Sequence, residues 1–520
     1  MPARRPCLSQ CLYCGSEVEM SRNIAVEPIG HQRIEPLIWV AAAILMLTFA
    51  LPGAAQDDIT TQNATSALDG GWITGPASNP LSHLNGPAFR TYGSPDHYDF
   101  KNFAPMTLLD ASLPPWLAFQ AEERYRFEQY DNSSLKAGSD DSYELNRFRF
   151  EADVKPNSWF RATAQVQDAR PFYENPPIGP PNENRWDLKL AYAEVGDPER
   201  HWFSLRVGRQ IINYNNTLIA NSEWRDQGRS YDAAVLNLQL KRATVGIFAA
   251  SAVVPQGAGV SPHQEGNNIY GIYGRLISPY PHANLEPFVL WRVQRAEVVQ
   301  PALAKTSGKE NEWAYGARLK GRIGAGLDYS GELVFESGTV RTDPIRAWAS
   351  SEGVSYAFAS SRGQPRIFAQ HDIASGNGNP SDGRHKTFDT LYPTAHDRFG
   401  IVDLFGWQNL DAARAGATFN PHRRLSVTAQ GLDFWAVSAL DSVYNTSGSA
   451  IVTNKINYGR HIGGEGDVYT WYELNRHFNL GGGYGYFGGG DFLSHITNAH
   501  NYSYSYIALN FKDNGKRAEK

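Results

Sequence analysis

The sequence predicts an all-β fold: a transmembrane antiparallel up-and-down β-barrel of about eighteen strands, preceded by a cleaved signal peptide. Three observations predict this fold. From residue 117 onward, segments of about ten residues alternate apolar and polar side chains. Short turns and long loops alternate between these segments. The one long apolar run, near the N-terminus, has the composition of an export signal.

The composition excludes several other classes of protein. The chain has 520 residues, a net charge of −5 and a mean hydropathy of −0.44, which is too polar for a helical membrane protein. The acidic balance and the lack of a basic tract with interleaved aromatics argue against nucleic acid as a partner. All three cysteines, Cys7, Cys11 and Cys14, precede the apolar run, so we expect no disulfide in the exported part. We also expect no metal or cofactor.

The N-terminal segment is predicted to be a signal peptide and its upstream extension, residues 1–55. The apolar run 37–55 follows Arg22 and Arg33 and ends in small residues, which favours cleavage after Ala55. A transmembrane anchor is the alternative, but no basic stop-transfer flank follows the run. Met20 is a candidate start. Residues 56–112 lack periodicity and are predicted to form a poorly ordered periplasmic lead or partial plug.

The barrel is predicted over residues 113–511. In AFQAEERYRFEQY, for example, one face carries charged and amide side chains and the other carries Phe119, Tyr125 and Phe127. The other segments in which we recognise this alternation, and which we predict to be strands, are RFRFEADV, SWFRATAQVQD, RWDLKLAYAEV, HWFSLRVGRQI, AVLNLQLKR, NIYGIYGRLI, LEPFVLWRVQR, EWAYGARLKGRI, GLDYSGELVFES, ARAGATFNP, RLSVTAQG, GEGDVYTWYEL, FNLGGGYGYF and NYSYSYIALNF.

The polar faces decide between a membrane barrel and a soluble β-protein. A secreted β-helix or sandwich needs inward faces of Val, Ile and Leu, whereas the faces opposite the aromatics here hold Arg, Gln, Glu and Thr. We therefore expect the apolar face to meet lipid and the charged face to line a wet lumen. Aromatic residues near strand ends are expected to form interfacial girdles: Trp159, Trp186, Trp202, Trp313, Tyr502 and Tyr504.

The connections support the same fold. Eight short turns (KPNS, GDPER, KR, SPYPHA, IGAG, SRGQP, NPHR and NRH) separate long loops rich in Asn, Gly, Pro and Ser. An even strand number places both termini on the short-turn, periplasmic side. The last strand ends near Phe511, and residues 512–520 are predicted to be a C-terminal tail.

Alternation also predicts which side chains line the lumen. The basic set is Arg124, Arg126, Arg147, Arg149, Arg161, Arg206, Arg318, Lys320 and Arg414, with Arg292 and Arg322 on the same faces. The acidic set is Glu122, Glu151, Asp153, Glu332, Glu465 and Asp467, with Glu128 and Glu336. These charges could instead pair across neighbouring strands and brace the wall. For the five arginines of the first three strands we favour a cationic stretch of wall. Arg225 and Arg229 could fold inward as a constriction or cap a loop.

The sequence offers no convincing catalytic residue. The pairs His371–Asp372 and His396–Asp397 point to opposite faces of an extended chain, so adjacency makes neither a dyad. We interpret His371 and His396 as hydrogen-bonding loop residues. No G-x-S-x-G or H-E-x-x-H motif is present.

Four stretches together resemble the bacterial alginate-export family of outer-membrane barrels. They are residues 207–236, 388–416, 423–435 and 477–493. The resemblance implies a monomeric barrel in outer-membrane lipid that carries an anionic polyuronate outward by diffusion, partly along arginine and lysine. Because family members also occur outside alginate producers, the fold transfers more safely than the substrate. We expect any periplasmic scaffold to be a separate protein.

The predicted function is therefore a passive outer-membrane channel for an anionic, alginate-like polysaccharide. A general or small-anion porin is the alternative within transport. A structural or adhesion barrel with a blocked lumen, or an outer-membrane hydrolase, represents another class. Tight salt-bridged filling would indicate the blocked barrel, and a Ser, His and acid converging at the rim would indicate the hydrolase.

Overall fold

The computed structural model describes residues 104–515, except 174–181, 198–199, 215–216, 278–282, 298–307, 325, 360, 380, 395, 454–456 and 498–500. The predicted signal peptide and residues 56–103 of the predicted lead lie outside the described residues. No helix in the described part of the chain is long and apolar enough to cross a membrane.

Almost every described element is a strand. The two helices are α1 (Pro105–Ala111) and α2 (Asp491–Ser494), and a 3-10 turn spans Ser133–Leu135. The strands are β1 (Leu117–Asp131), β2 (Asp141–Val154), β3 (Phe160–Phe172), β4 (Asn184–Val195), β5 (Phe203–Gln210), β6 (Tyr231–Leu240), β7 (Ala243–Val253), β8 (His263–Ile277), β9 (Ala283–Gln294), β10 (Glu310–Ile323), β11 (Leu327–Val340), β12 (Asp343–Ala357), β13 (Arg366–Ala374), β14 (Leu410–His422), β15 (Leu425–Ala436), β16 (Ser442–Tyr444), β17 (Ala450–Thr453), β18 (His461–Glu473), β19 (Phe478–Gly489) and β20 (Asn501–Asp513).

Eighteen of these strands close into one antiparallel barrel, which confirms the predicted fold. Each strand pairs with its neighbour in the chain, except that the small hairpin β16–β17 lies apart and β15 pairs with β18. Closure is made by β1, which pairs with β2 on one side and with β20 on the other. Arg124 thus lies between Arg147 and Asn510. A closed ring leaves no strand edge unpaired.

The two ends of the barrel differ as predicted, with one exception. The strand ends that the eight predicted short turns connect lie at one end, called here the turn end, where β1 also begins and β20 ends. The long connections lie at the other end, called the loop end. The exception joins β11 to β12 through residues 341–342 alone, with Arg341 in the left-handed region at φ 58°.

Helix α1 ties the first strand to the last at the turn end. The Met106 amide donates to Asp513 Oδ2 at 2.8 Å, and the Thr107 hydroxyl donates to Asp513 Oδ1 at 2.9 Å. On the other side, Asp110 Oδ1 accepts from the Phe119 amide at 2.9 Å. Two predicted boundaries therefore differ from the structure. A helix lies inside the segment predicted as an unstructured lead, and β20 extends two residues beyond 511 into the predicted tail.

Three barrel strands, β7, β12 and β13, were not among the predicted segments. The inner face of β7 is apolar because Phe248, Ala250 and Ala252 pack in a core inside the barrel. The outer face of β12 is mixed, since Arg346, Ser350 and Glu352 share it with Trp348, Val354 and Tyr356, and its inner face adds Ile345, Ala347 and Ala349 to the same core. β7 and β12 therefore lack the clear polar-inside, apolar-outside alternation on which the prediction depended, and on the short strand β13 it is interrupted by Phe368 inside and His371 outside.

The barrel interior also contains an apolar core, which corrects the expectation of a uniformly wet inner face. Phe405, Phe434 and Phe487 pack edge to face at the loop end, and Phe388 packs on Trp407. The aromatic prediction is likewise right in part. Trp159, Trp186, Trp202 and Trp313 are exposed on the outer surface, whereas Tyr502 and Tyr504 are buried inside the barrel. On β20, Ile507 and Leu509 are exposed on the outer face. Because successive side chains of a strand point to opposite faces, Tyr502 and Tyr504, at even-numbered positions, point inward.

Candidate functional site

The predicted lumen residues lie on the inner face, opposite exposed outer residues such as Tyr125, Val166 and Leu205. Their burial divides them into two groups. The buried basic residues are Arg124, Arg126, Arg147, Arg149, Arg206 and Arg414, and all six predicted acids (Glu122, Glu151, Asp153, Glu332, Glu465 and Asp467) are buried as well. The half-buried basic residues are Arg161, Arg318 and Lys320.

Two connections at the loop end fold into the barrel and account for this burial. Inner loop 1 is residues 211–230, between β5 and β6, and inner loop 2 is residues 375–409, between β13 and β14. The two meet inside the barrel, where the Ala220 amide donates to the Tyr392 carbonyl and the Tyr392 amide donates to the Leu218 carbonyl, both at 2.8 Å. Arg229 Nη1 donates to the Pro393 carbonyl at 3.0 Å. The inward fold of Arg229 was one of the two alternatives left open by the sequence.

Four arginines from β1 and β2 form one group, called here the arginine cluster: Arg124, Arg126, Arg147 and Arg149. Glu223 of inner loop 1 lies at its centre, with Oε2 at 2.6 Å from Arg149 Nη1 and 3.2 Å from Arg147 Nη1. Asp226 forms an ion pair with Arg124. The Trp224 ring lies 4.3 Å from the Arg126 guanidinium carbon. The cluster is therefore covered by inner loop 1.

Glu223 and Asp226 were not predicted as site residues. They belong to a loop, where side-chain alternation gives no direction, so the sequence carried no signal for their position. Burial opposes ionisation of Glu223, but the guanidiniums of Arg149 and Arg147 hold the pKa of its carboxyl well below the usual range. The arginines thus favour the carboxylate form of Glu223.

The other predicted basic residues do not join the arginine cluster. Arg161 pairs with Asp153 at 2.6 Å, and Arg206 pairs with Glu194 at 2.8 Å. Arg414 contacts Asp397 of inner loop 2 at 3.1 Å. Arg318 and Lys320 lie on β10, opposite Glu332 and Ser330 of β11.

A second charged group lies on the far wall, where Arg292 of β9 meets three carboxylates. Its Nη2 contacts Glu312 at 2.7 Å and also pairs with Glu310 and with Asp389 of inner loop 2. Glu336 of β11 accepts the Asp389 amide at 3.0 Å. Glu310 and Glu312 were missed, although alternation along β10 puts them on the same face as Arg318. Three of these acids have the spacing of metal ligands, but Arg292 Nη2 already contacts all three.

Two predicted lumen acids bind backbone instead of facing open water. Glu465 accepts the Val402 amide at 3.0 Å, and Asp467 accepts the Ile401 amide at 3.3 Å. They hold the far end of inner loop 2 against β18. Within this loop, His396 Nδ1 lies 2.9 Å from Asp403, and burial raises the pKa of Tyr392 to about 12.

A polar cluster lies on the outer face of β12 to β14, where Ser350, Glu352, His371 and Asp411 meet. His371 is a strand residue, so its interpretation as a loop residue is wrong. Its Nε2 lies 2.8 Å from Asp411 and its Nδ1 lies 3.5 Å from Glu352. The Ser350 hydroxyl donates to Glu352. Both ring nitrogens face carboxylates, so neither is positioned to take a proton from the serine.

Comparisons with known proteins agree on the type of barrel. The model of the alginate export family matches residues 115–505. No curated protein matches the chain. The outer membrane protein OpdK of Pseudomonas aeruginosa has a TM-score of 0.51 and 10% identity over 76% of this chain and 98% of its own. OccAB2 of Acinetobacter baumannii has a TM-score of 0.51 and 10% identity over 76% of this chain and 97% of its own. OpdO of Pseudomonas aeruginosa has a TM-score of 0.51 and 11% identity over 76% of this chain and 96% of its own. At such identities the likeness concerns the fold alone.

Proposed function

This chain belongs to the alginate export family, and from that premise we propose that it exports an anionic polysaccharide of the polyuronate type through an arginine-rich lumen. It is a passive channel of the bacterial outer membrane. The turn end, where the short connections lie, is assigned to the periplasm, and the loop end to the cell exterior.

The observation that carries the substrate proposal is the number of guanidinium groups on the inner face. Guanidinium groups on β1, β2, β3, β5, β9, β10 and β14 all point inward, and their planar fork suits the carboxylate that each uronate sugar carries. Neighbouring acids prevent a polymer from binding too tightly, because conduction requires that each site release what it binds.

The half-buried cations are the best candidates for direct contact with a passing polymer. Arg161 lies one residue from the start of β3, and Lys320 lies three residues from the end of β10. Both positions are near the turn end. A polymer that enters from the periplasm would therefore meet these charges before it reaches the arginine cluster.

A small-anion porin is the second candidate. OpdK, which shares the fold at 10% identity, has been solved with vanillate, a small aromatic carboxylate. The inward loops would pass such a ligand more easily than a polymer. Vanillate and oligouronates therefore belong in the same experiment.

The test is planar-bilayer conductance of the refolded barrel in a salt gradient, with oligouronates, vanillate or neutral oligosaccharides added. We expect anion selectivity and a block that depends on oligouronate concentration. The substitutions Arg318→Gln and Lys320→Gln should weaken the block, because they remove cations from the path. Arg362→Gln, on an exposed periplasmic turn, is the matched control. Large unselective currents that ignore every solute would refute the substrate, and a block by vanillate alone would favour the small-anion porin.

We also propose that the barrel acts as a monomer and that any periplasmic scaffold is a separate protein. Light scattering of the detergent-solubilised barrel tests the monomer. The hydrolase alternative is not favoured, because the outer polar cluster leaves His371 bound to two acids. A blocked structural barrel is a serious competitor, since the inner loops fill much of the lumen with ion pairs.

A further inference from the structure

The arginine cluster is bound by carboxylates of the same chain. Glu223 and Asp226 are 2% and 0% exposed, and the four arginines are no more than 3% exposed. As the structure has them, a polyuronate could reach these arginines only if inner loop 1 moved away.

Several buried hydrogen-bonding groups where inner loop 1 meets the arginine cluster have no partner among the described residues. Glu223 contacts Arg147 and Arg149 through Oε2 alone, and its Oε1 has no hydrogen-bond partner among the described residues. In the same part of the chain, Asp226 Oδ2 and the Nε groups of Arg124 and Arg147 are also buried without a partner. A carboxylate that paired in a bidentate way with a guanidinium would satisfy donors that the loop does not.

Inner loop 1 is held at two ends by different chemistry. At the cluster end, charged bonds join Glu223 and Asp226 to β1 and β2. At the other end, the Thr217 hydroxyl donates to Glu332 of β11 at 2.9 Å, on the far side of the ring. The loop thus spans the lumen, and it is also bonded to inner loop 2 and, through the Glu223 and Trp224 carbonyls, to Arg124 and Arg126. Among these attachments, the ion pairs of Glu223 and Asp226 are the ones that an incoming carboxylate can replace.

We propose that Glu223 and Asp226 act as internal substitutes for substrate carboxylates, so that inner loop 1 occupies the arginine cluster until a polyuronate displaces it. This inference rests on the proposed function and adds a mechanism of opening to it. The chain's own carboxylates keep the empty channel narrow, and the substrate opens the path by exchanging one carboxylate for another at the same guanidiniums.

The first experiment removes the negative charges of Glu223 and Asp226. In the double variant Glu223→Gln and Asp226→Asn, we expect higher conductance, stronger selectivity for chloride, and half-block at an oligouronate concentration on the order of ten-fold lower. The matched control is Glu183→Gln together with Asp168→Asn, two acids outside the arginine cluster. Faster migration of the unheated than of the heated barrel in SDS gels checks that each variant has folded.

The second experiment detects loop movement without disturbing the charges. The chain has no cysteine after Cys14, so Gln227→Cys introduces a single thiol, buried in inner loop 1, into the refolded barrel. We expect a thiol reagent to label it several-fold faster with oligouronate than with a neutral oligosaccharide. Thr217→Val, which removes the hydrogen bond from the hydroxyl to Glu332, should raise the labelling rate further.

The outcomes separate the two proposals. If oligouronates block the wild type but labelling at residue 227 and block of the double variant do not change, the displacement mechanism is wrong and the proposed function stands. If oligouronates block neither protein, the proposed function fails. A rise in chloride selectivity in the double variant would then still support occupation of the cluster by the loop, for smaller anions.

Discussion

Replacing Arg292 with methionine should release one end of inner loop 2. Arg292 is 5% exposed and is the guanidinium shared by Glu310, Glu312 and Asp389, with Glu336 beside them. Methionine keeps much of the side-chain volume but leaves four buried carboxylates without their cation. Removing one partner from a buried ion pair costs about 3–5 kcal/mol, because the remaining charge stays desolvated.

The assay is urea unfolding of the barrel in lipid vesicles, followed by tryptophan fluorescence, together with single-channel conductance. We expect the free energy of unfolding to fall by about 3–5 kcal/mol at pH 8. We also expect conductance to rise, because Asp389 holds inner loop 2 against this wall. The deficit should shrink at pH 5, because crowded buried carboxylates that have lost their cation repel one another and take up protons more readily.

Arg322→Met is the matched control. Arg322 pairs with Asp328 at 2.6 Å near the turn end, but its side chain is 33% exposed. An exposed pair contributes about 0–1 kcal/mol, so its loss should hardly be measurable. If Arg292→Met and Arg322→Met unfold alike, or if the deficit of Arg292→Met is the same at pH 5 and pH 8, the argument for a buried charge cluster is refuted.

Three further predictions concern other contacts. Asp513→Asn should cost about 1–3 kcal/mol per unsatisfied donor, because an amide cannot accept from both Met106 and Thr107 at the two positions of the carboxylate oxygens. Faster proteolysis near α1 would show this loss, and Asp491→Asn, at an exposed position, should leave the proteolysis rate unchanged. Since the pKa of Glu223 is depressed, docking of inner loop 1 loses stability only as pH falls below the unfolded value of about 4.3, so conductance should be constant from about pH 8 to 5 and rise below about pH 4. Gly400→Ala should destabilise the barrel by about 1–3 kcal/mol, because Gly400 has φ +88° and an added Cβ would collide with Glu465. Gly324→Ala, at φ +61° in open space, should cost about 1 kcal/mol or less. Equal losses of the two variants in urea unfolding would contradict this.

The sequence was most informative where a strand has one polar face and one apolar face. On β1 and β2 the predicted inner face is the observed one, because Arg124, Arg126, Arg147 and Arg149 share one parity and the aromatics share the other. The same reasoning fails on β7 and β12, where the interior is an apolar core and the exterior of β12 is partly polar. Alternation identifies a strand only when its two surroundings differ in polarity.

What periodicity could not supply is the partner of each charge. Glu223 and Arg149 are 74 residues apart, and Arg292 and Asp389 are 97 residues apart. Such pairs depend on how far each loop folds into the barrel, and nothing in the local sequence of a loop encodes that depth. The cationic wall inferred for the first three strands is therefore a wall of paired charges, and its role in transport remains a proposal.

The distribution of burial along the barrel axis gives the paired and half-buried cations different tasks. Arg318 and Lys320 are only half-buried, and Lys320 lies three residues from the turn end of β10, whereas the arginine cluster is buried beneath inner loop 1. Charges at a mouth raise the rate at which an oppositely charged polymer is captured, and that rate depends on salt. Charges that are already paired act only after their partners have been displaced. Substitutions at Arg318 and Lys320 should therefore change the association rate of oligouronates and its salt dependence, and substitutions at Glu223 and Asp226 should change the concentration at which the block is half complete.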